Sequence, residues 1–93
     1  MLTLTKKAHE AVAAISRPTA PSHLPGLRIC RRPDRPTFAV NRVVSPHESD
    51  LVVEHAGARV FLGPIAALRF SDSVLDVRTD DLGRLQFVVR AAA

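Results

Sequence analysis

The sequence predicts an α+β domain made of one amphipathic helix, a second short helix and mainly antiparallel sheets. Three observations carry that prediction. Ala8, Ala11, Val12 and Ile15 recur at i, i+3, i+4 and i+7, which puts them on one helical face. Short stretches of alternating or continuous aliphatic residues then follow in pairs, too short for helices and rich in Val, Leu and Phe. Between them lie turns marked by glycine, proline or aspartate.

Along the chain, Leu2 and Leu4 alternate with Thr3 and Thr5 as an extended lead-in to the helix. Thr5 is placed to cap it, because a threonine hydroxyl accepts a bond from an orphan amide of the first turn. Pro18 restricts the residue before it, so the helix stops by Arg17. Pro18 to Gly26 holds three prolines and a glycine and reads as a surface loop. Leu27-Arg28-Ile29-Cys30-Arg31 follows as a strand, with Leu27 and Ile29 on one face and Arg28, Cys30 and Arg32 on the other. Arg32 to Pro36 is a turn, and Thr37 to Val44 is the returning strand, with Phe38 and Val40 on one side.

The stretch Leu51 to Leu62 is the expected centre of the fold: two strands meeting at Ala56-Gly57-Ala58, where glycine permits a backbone that Cβ-bearing residues resist. Gly63-Pro64 opens a short helix to Phe70, with Ala67 and Leu68 as its expected buried residues. Val74 to Arg78 alternates again, with Leu75 and Val77 inward. Asp80-Asp81-Leu82-Gly83 is a hairpin turn. Leu85, Phe87 and Val89 line the last strand, and Ala91 to Ala93 are expected to fray.

Ninety-three residues make one domain, 1–93, whose modest core would gain from oligomer formation. A hydrophobic content of 46 % separates it from disordered chains. The N-terminus lacks a signal-peptide run and no apolar stretch reaches membrane-spanning length, so a cytoplasmic protein without membrane contact is expected. The single cysteine excludes an intrachain disulfide.

The net charge of +4 is concentrated between Arg28 and Arg42, where Arg31, Arg32 and Arg35 crowd a turn that also holds Asp34. Such a run attracts an acidic partner or nucleic acid, and it also serves as a charged strand edge that resists aggregation. No aromatic platform for stacking bases accompanies it, which disfavours nucleic acid. Cys30 lies among arginines that would favour a thiolate, although a lone strand cysteine is ordinarily an inert small hydrophobe. His9, His23, His47 and His55 show no metal-ligand spacing. The carboxylates lie mostly in turns, with no acid–base pair, and neither a nucleophile elbow nor a phosphate loop is present. The chain is not expected to be an enzyme.

Together these segments resemble the HesB/IscA-like family of A-type iron–sulfur carriers, from about Leu2 to Val89. The resemblance rests on Leu2-Thr3-Leu4-Thr5 with Ala8 and Ile15, Gly26-Leu27-Arg28-Ile29, and Asp50-Leu51-Val52-Val53-Glu54 with Gly57, Val60 and Leu62. Leu75-Asp76 completes it. It implies two small sheets packed as a sandwich or pseudo-barrel. In the family, cluster ligands are a cysteine in a Gly-Cys-Ser-Gly-like turn and a C-terminal Cys-Gly-Cys pair. Here the turn reads Arg32 to Thr37, and the C-terminus reads Val88 to Ala93, without those thiols. Cys30 lies in a strand and does not inherit the role.

The resemblance therefore implies an iron–sulfur assembly-like protein expected to have lost cluster binding, with no cofactor and no metal site. It would act by contact with other proteins, through Arg31, Arg32 and Arg35. Two alternatives stand beside it. One is an iron or iron–sulfur carrier with Cys30 in a site between subunits, from four copies or with His23 across a dimer. The other is nucleic-acid binding through the Arg28–Arg42 stretch.

Overall fold

In the computed structural model, which describes residues 1–91, Thr5 joins the start of the chain to its far end. The segment before it forms a short strand, β1 (Thr3–Leu4), and the segment after it forms α1 (Lys6–Ile15). The Thr5 hydroxyl oxygen accepts a bond from the Ala8 amide at 3.2 Å, as the sequence predicts for a cap. The same hydroxyl donates to Asp76 Oδ1 at 2.8 Å, so the cap also fixes the helix to a distant strand. At the other end the Ser16 amide bonds to the Val12 carbonyl at 2.9 Å before Pro18 ends helical geometry.

Two more strands, β2 (Gly26–Arg31) and β3 (Phe38–Val43), are followed by the hairpin β4 (Leu51–His55) and β5 (Ala58–Leu62). Helix α2 (Pro64–Arg69) leads into β6 (Ser73–Thr79) and β7 (Leu85–Ala91). The strands form an open four-stranded sheet in the order β3-β2-β5-β4 and an open three-stranded sheet in the order β1-β6-β7. Hairpin-type neighbours pair antiparallel, as expected. Each sheet also has one parallel pairing, β2 with β5 and β1 with β6, so both are mixed. Within the lead-in, Thr3 and Leu4 thus form a strand in their own right, with Leu4 opposite Leu75. The alternation of Leu2 and Leu4 with Thr3 and Thr5 announces the extended chain but not its pairing, because a two-residue strand is defined only by its partner.

Helix α1 lies against β5, β6 and β2 and so bridges the two sheets. Ala8 and Val12 from the helix, Leu27 and Ile29 from β2, Val60 and Leu62 from β5, and Leu75 from β6 share one buried cluster with Leu2 and Ala66. The hairpin at residues 51–62 is central only by its second half. Strand β5 buries Ala58, Val60, Phe61 and Leu62, whereas β4 is the sheet's edge and leaves Leu51 53 % and Val52 43 % exposed. Gly26 lets β5 pack closely, since a Cβ there would stand 2.7 Å from the Arg59 carbonyl oxygen and 2.8 Å from the Phe61 ring.

Three side-chain expectations are corrected. Helix α2 buries Ala66 and leaves Leu68 82 % exposed, because a helix of six residues can press only one short face inward. Leu85 is 58 % exposed, since it starts β7 at the rim opposite the exposed Thr79; Phe87 and Val89 do the inward packing. Ala91 is paired with Ser73 rather than frayed, while Ala92 and Ala93 lie outside the described residues. Among the described residues no helix is long and apolar enough to cross a membrane.

The turn of the β4–β5 hairpin places both Ala56 (φ 47°) and Gly57 (φ 86°) in the left-handed region. That geometry matches the twist of the flanking strands and suits Asn-Gly best. Alanine there is strained by its Cβ. Ala56→Asn should raise stability by about 1 kcal/mol, read as a Tm increase of about 4–8 °C in calorimetry.

Candidate functional site

Strand β2 carries the residues that the sequence singles out, and its alternation divides them. Leu27 and Ile29 face the core. Arg28 and Cys30 share the opposite face, and Arg31 ends the strand. The turn beyond is closed by the Arg32 amide bonding to the Thr37 carbonyl at 2.9 Å.

Arg28 is not part of an exposed basic run. Its Nε donates to Asp50 Oδ2 at 2.8 Å and its Nη2 to Oδ1 at 2.9 Å, a bidentate pair. The Asp50 side chain is fully buried and that of Arg28 only 14 % exposed. Asp50 also accepts the His47 amide at 2.9 Å. The Arg28 guanidinium, helped by that amide, holds the Asp50 carboxyl below its ordinary range, while Asp50 pushes Arg28 up. The pair spans 22 residues of sequence, which hid it from pattern reading.

Arg31, Arg32 and Arg35 remain exposed at the turn. Arg35 stands 3.7 Å from Asp34, both well solvated, so their ion pair contributes little. Arg42 is exposed on β3, opposite Leu27. The stretch from Arg28 to Arg42 therefore resolves into a neutralised, buried pair, a charged turn and one cation further along the sheet.

Cys30 is a free, half-buried thiol opposite Ala39 and packed beside Gly63, where an added Cβ would lie 3.4 Å from the Cys30 Cβ. His23 stands in the proline loop with its Nδ1 3.1 Å from Thr19 Oγ1. Among the described residues no three His, Cys, Asp or Glu side chains are grouped to hold a metal ion.

The histidines that meet are ones the sequence does not link. His9 and His55 pack edge to face with ring centroids 5.7 Å apart, and His9 Nε2 donates to the His55 carbonyl at 3.1 Å. They line a cleft of 490 Å³ with Leu2, Leu4 and Val53. His47 and His55 flank β4 separately, and His47 serves Asp50 instead.

Arg59 is the largest omission of sequence reading. Its side chain is 11 % exposed. It reaches the Pro25 carbonyl at 3.0 Å, Glu54 Oε2 at 3.0 Å and the Ser16 carbonyl at the end of α1. A cation at a helix C-terminus complements the carbonyl dipoles there. The only sign in the sequence is a single arginine in a strand of otherwise apolar residues.

No family model and no curated protein matches this sequence. Solved structures do. Escherichia coli SufA, involved in biosynthesis of iron–sulfur clusters, superposes with a TM-score of 0.74 at 23 % identity, covering 97 % of this chain and 84 % of SufA. IscA with its [2Fe–2S] cluster gives a TM-score of 0.67 at 20 % identity, covering 98 % of this chain and 82 % of IscA.

This chain has the HesB/IscA-like fold.

The expectation of a protein without a cofactor is corrected by IscA, a HesB/IscA-like neighbour that carries a [2Fe–2S] cluster. That cluster belongs to IscA. The donor set of one chain does not match it: a cluster ordinarily takes four thiolates, and these 93 residues contain one cysteine.

The Arg28–Asp50 pair gives a direct test. A carboxyl held below its ordinary pKa stabilises the fold above about pH 4, and that contribution is lost as pH falls through the lowered value. Asp50→Asn should cost about 2–3 kcal/mol at neutral pH, because it leaves a largely buried guanidinium without its counter-ion. Urea melts from pH 7 down to about pH 3 should show stability falling for the parent and a shallower fall for the variant.

Proposed function

We propose that this chain works in iron–sulfur cluster assembly by contact with other proteins, and that any cluster it handles is ligated by more than one chain. The observation that carries this reading is the fold shared over nearly the whole chain with SufA and IscA, combined with a single thiol. A HesB/IscA-like chain that offers one thiolate cannot complete a four-ligand cluster by itself. Its contribution to cluster chemistry must then pass through contacts.

Arg31, Arg32 and Arg35 are the proposed contact with an acidic partner. They project from a turn whose backbone is closed by the Arg32–Thr37 bond, so their charges are held away from the core. Exposed charge of one sign speeds encounter with an oppositely charged surface more than it adds affinity. Arg31→Glu, Arg32→Glu and Arg35→Glu together should slow association with an assembly-pathway partner by about tenfold or more at low salt. Surface-plasmon association rates across a salt series measure this, and an unchanged rate removes the turn from the reading.

Cys30 is the place where a cluster shared between chains would be held. Two copies supply two thiolates and need further ligands, such as histidine, which replaces two cysteines on one iron in some centres. Anaerobic reconstitution should give at most one [2Fe–2S] cluster per two chains, with visible absorbance that disappears in Cys30→Ser. One cluster per chain, or absorbance that survives the substitution, contradicts a shared site.

A further inference from the structure

We propose that the groove between the end of α1 and the end of β3 is a docking site for an acidic, aliphatic segment of a partner protein. The inference rests on the protein-contact reading above and assigns it a second surface, distinct from the β2–β3 turn.

The groove has a volume of 410 Å³ and combines two chemistries. Ile15, Val43 and Val44 supply aliphatic surface, and Val44, just past the end of β3, is 56 % exposed. Pro18 and Pro25 supply a stiff wall. Arg17 and Arg42 line the same groove, both exposed, and neither pairs with a carboxylate among the described residues. Arg28, Arg59 and Arg84 contrast with them, each holding a carboxylate at 3.0 Å or less.

The groove is also held in shape. The Leu24 amide bonds to the Val44 carbonyl at 2.9 Å, which fastens the proline loop to the end of β3. Arg59 fixes Pro25 and the Ser16 carbonyl from beneath. That contact also offsets the negative end of the α1 dipole, which would otherwise oppose an anionic guest. A preformed groove loses little freedom on binding.

Its chemistry selects the occupant. Two unpaired guanidinium groups call for carboxylates, and an aliphatic floor calls for a Leu- or Ile-like side chain between them. A nucleic acid would want aromatic platforms and a longer row of cations, and the groove has neither. A second copy could present similar chemistry at Asp81 and Leu82, the latter 76 % exposed, and is the competing occupant.

The test uses the 93-residue chain, methyl-labelled for NMR, and a fluorescein-labelled peptide of alternating leucine and glutamate, with a leucine–lysine peptide as control. Binding of the acidic peptide should shift the Ile15, Val43 and Val44 methyls. Arg17→Glu with Arg42→Glu should weaken it by about tenfold or more, while Arg31→Glu, Arg32→Glu and Arg35→Glu leave it unchanged. Both substituted groove arginines are exposed, so a folded spectrum is expected and checks the variant. Four results overturn the proposal. They are no binding; loss only in the triple variant, which returns the contact to the turn; tighter binding of a single-stranded oligonucleotide at these arginines; and the same methyl shifts on raising protein concentration alone, abolished by Leu82→Asp, which assigns the groove to a second copy. In the first and third cases the turn-based reading still stands or falls by its own association rates.

Discussion

The fold depends on how one buried arginine is satisfied. A guanidinium carries five N–H donors and cannot shed its charge, so burying it demands acceptors on several sides. Around Arg59 these come from its hairpin neighbour β4 and from the end of α1 and the proline loop, the last two with no contact implied by sequence order. The Arg59 amide adds a bond to Ser16 Oγ at 3.0 Å, and that hydroxyl in turn donates to the Val12 carbonyl at 2.7 Å. The end of α1 is therefore tied to the middle of the four-stranded sheet by backbone and side chain together. Gly26 belongs to the same joint, because any larger residue would strike the Arg59 carbonyl. Helix position, loop path and sheet packing are fixed at one point.

Charge has a second structural use on the other side of β2. A bidentate Arg28–Asp50 pair looks costly, since burying two charges carries a desolvation penalty that their attraction only partly offsets. Its value lies in direction. Asp50 sits just before β4, and its oxygens bind both β2 and the His47 amide, so the pair anchors the long 44–50 connection over the sheet. This also decides which arginines remain exposed. Arg28 and Arg59, held by carboxylates, shape the molecule, and the exposed arginines at the β2–β3 turn and along the α1–β3 groove form basic surface.

Much of this was legible in the sequence wherever local physics decides. The Thr5 cap, the proline stop after Arg17, the alternation of Leu27 and Ile29, and the turn at Gly57 each depend on residues within a few positions of one another. The failures share a different cause. Leu68 and Leu85 are hydrophobic residues at positions where no neighbouring element arrives to cover them. Strand β1 exists only because β6 lies beside it, and the parallel β2–β5 pairing requires a crossover that periodicity does not specify. The contacts of Arg59, Arg28 and His9 span 43, 22 and 46 residues, beyond the reach of any spacing rule.

The placement of Cys30 turns the question of chemistry into one of assembly. In a strand, successive side chains alternate, so Cys30 shares its face with Arg28 and lies against Gly63 rather than in the β2–β3 turn. A thiol on a paired strand meets a second chain's side chains only where the two chains come together. IscA shows that this architecture accommodates a [2Fe–2S] cluster. With one thiol per chain, the geometry of any such centre here is set by the interface that delivers the remaining ligands. Under the proposed function, control over a shared cluster would pass from ligand residues within the chain to the charged and apolar surfaces that meet its neighbours.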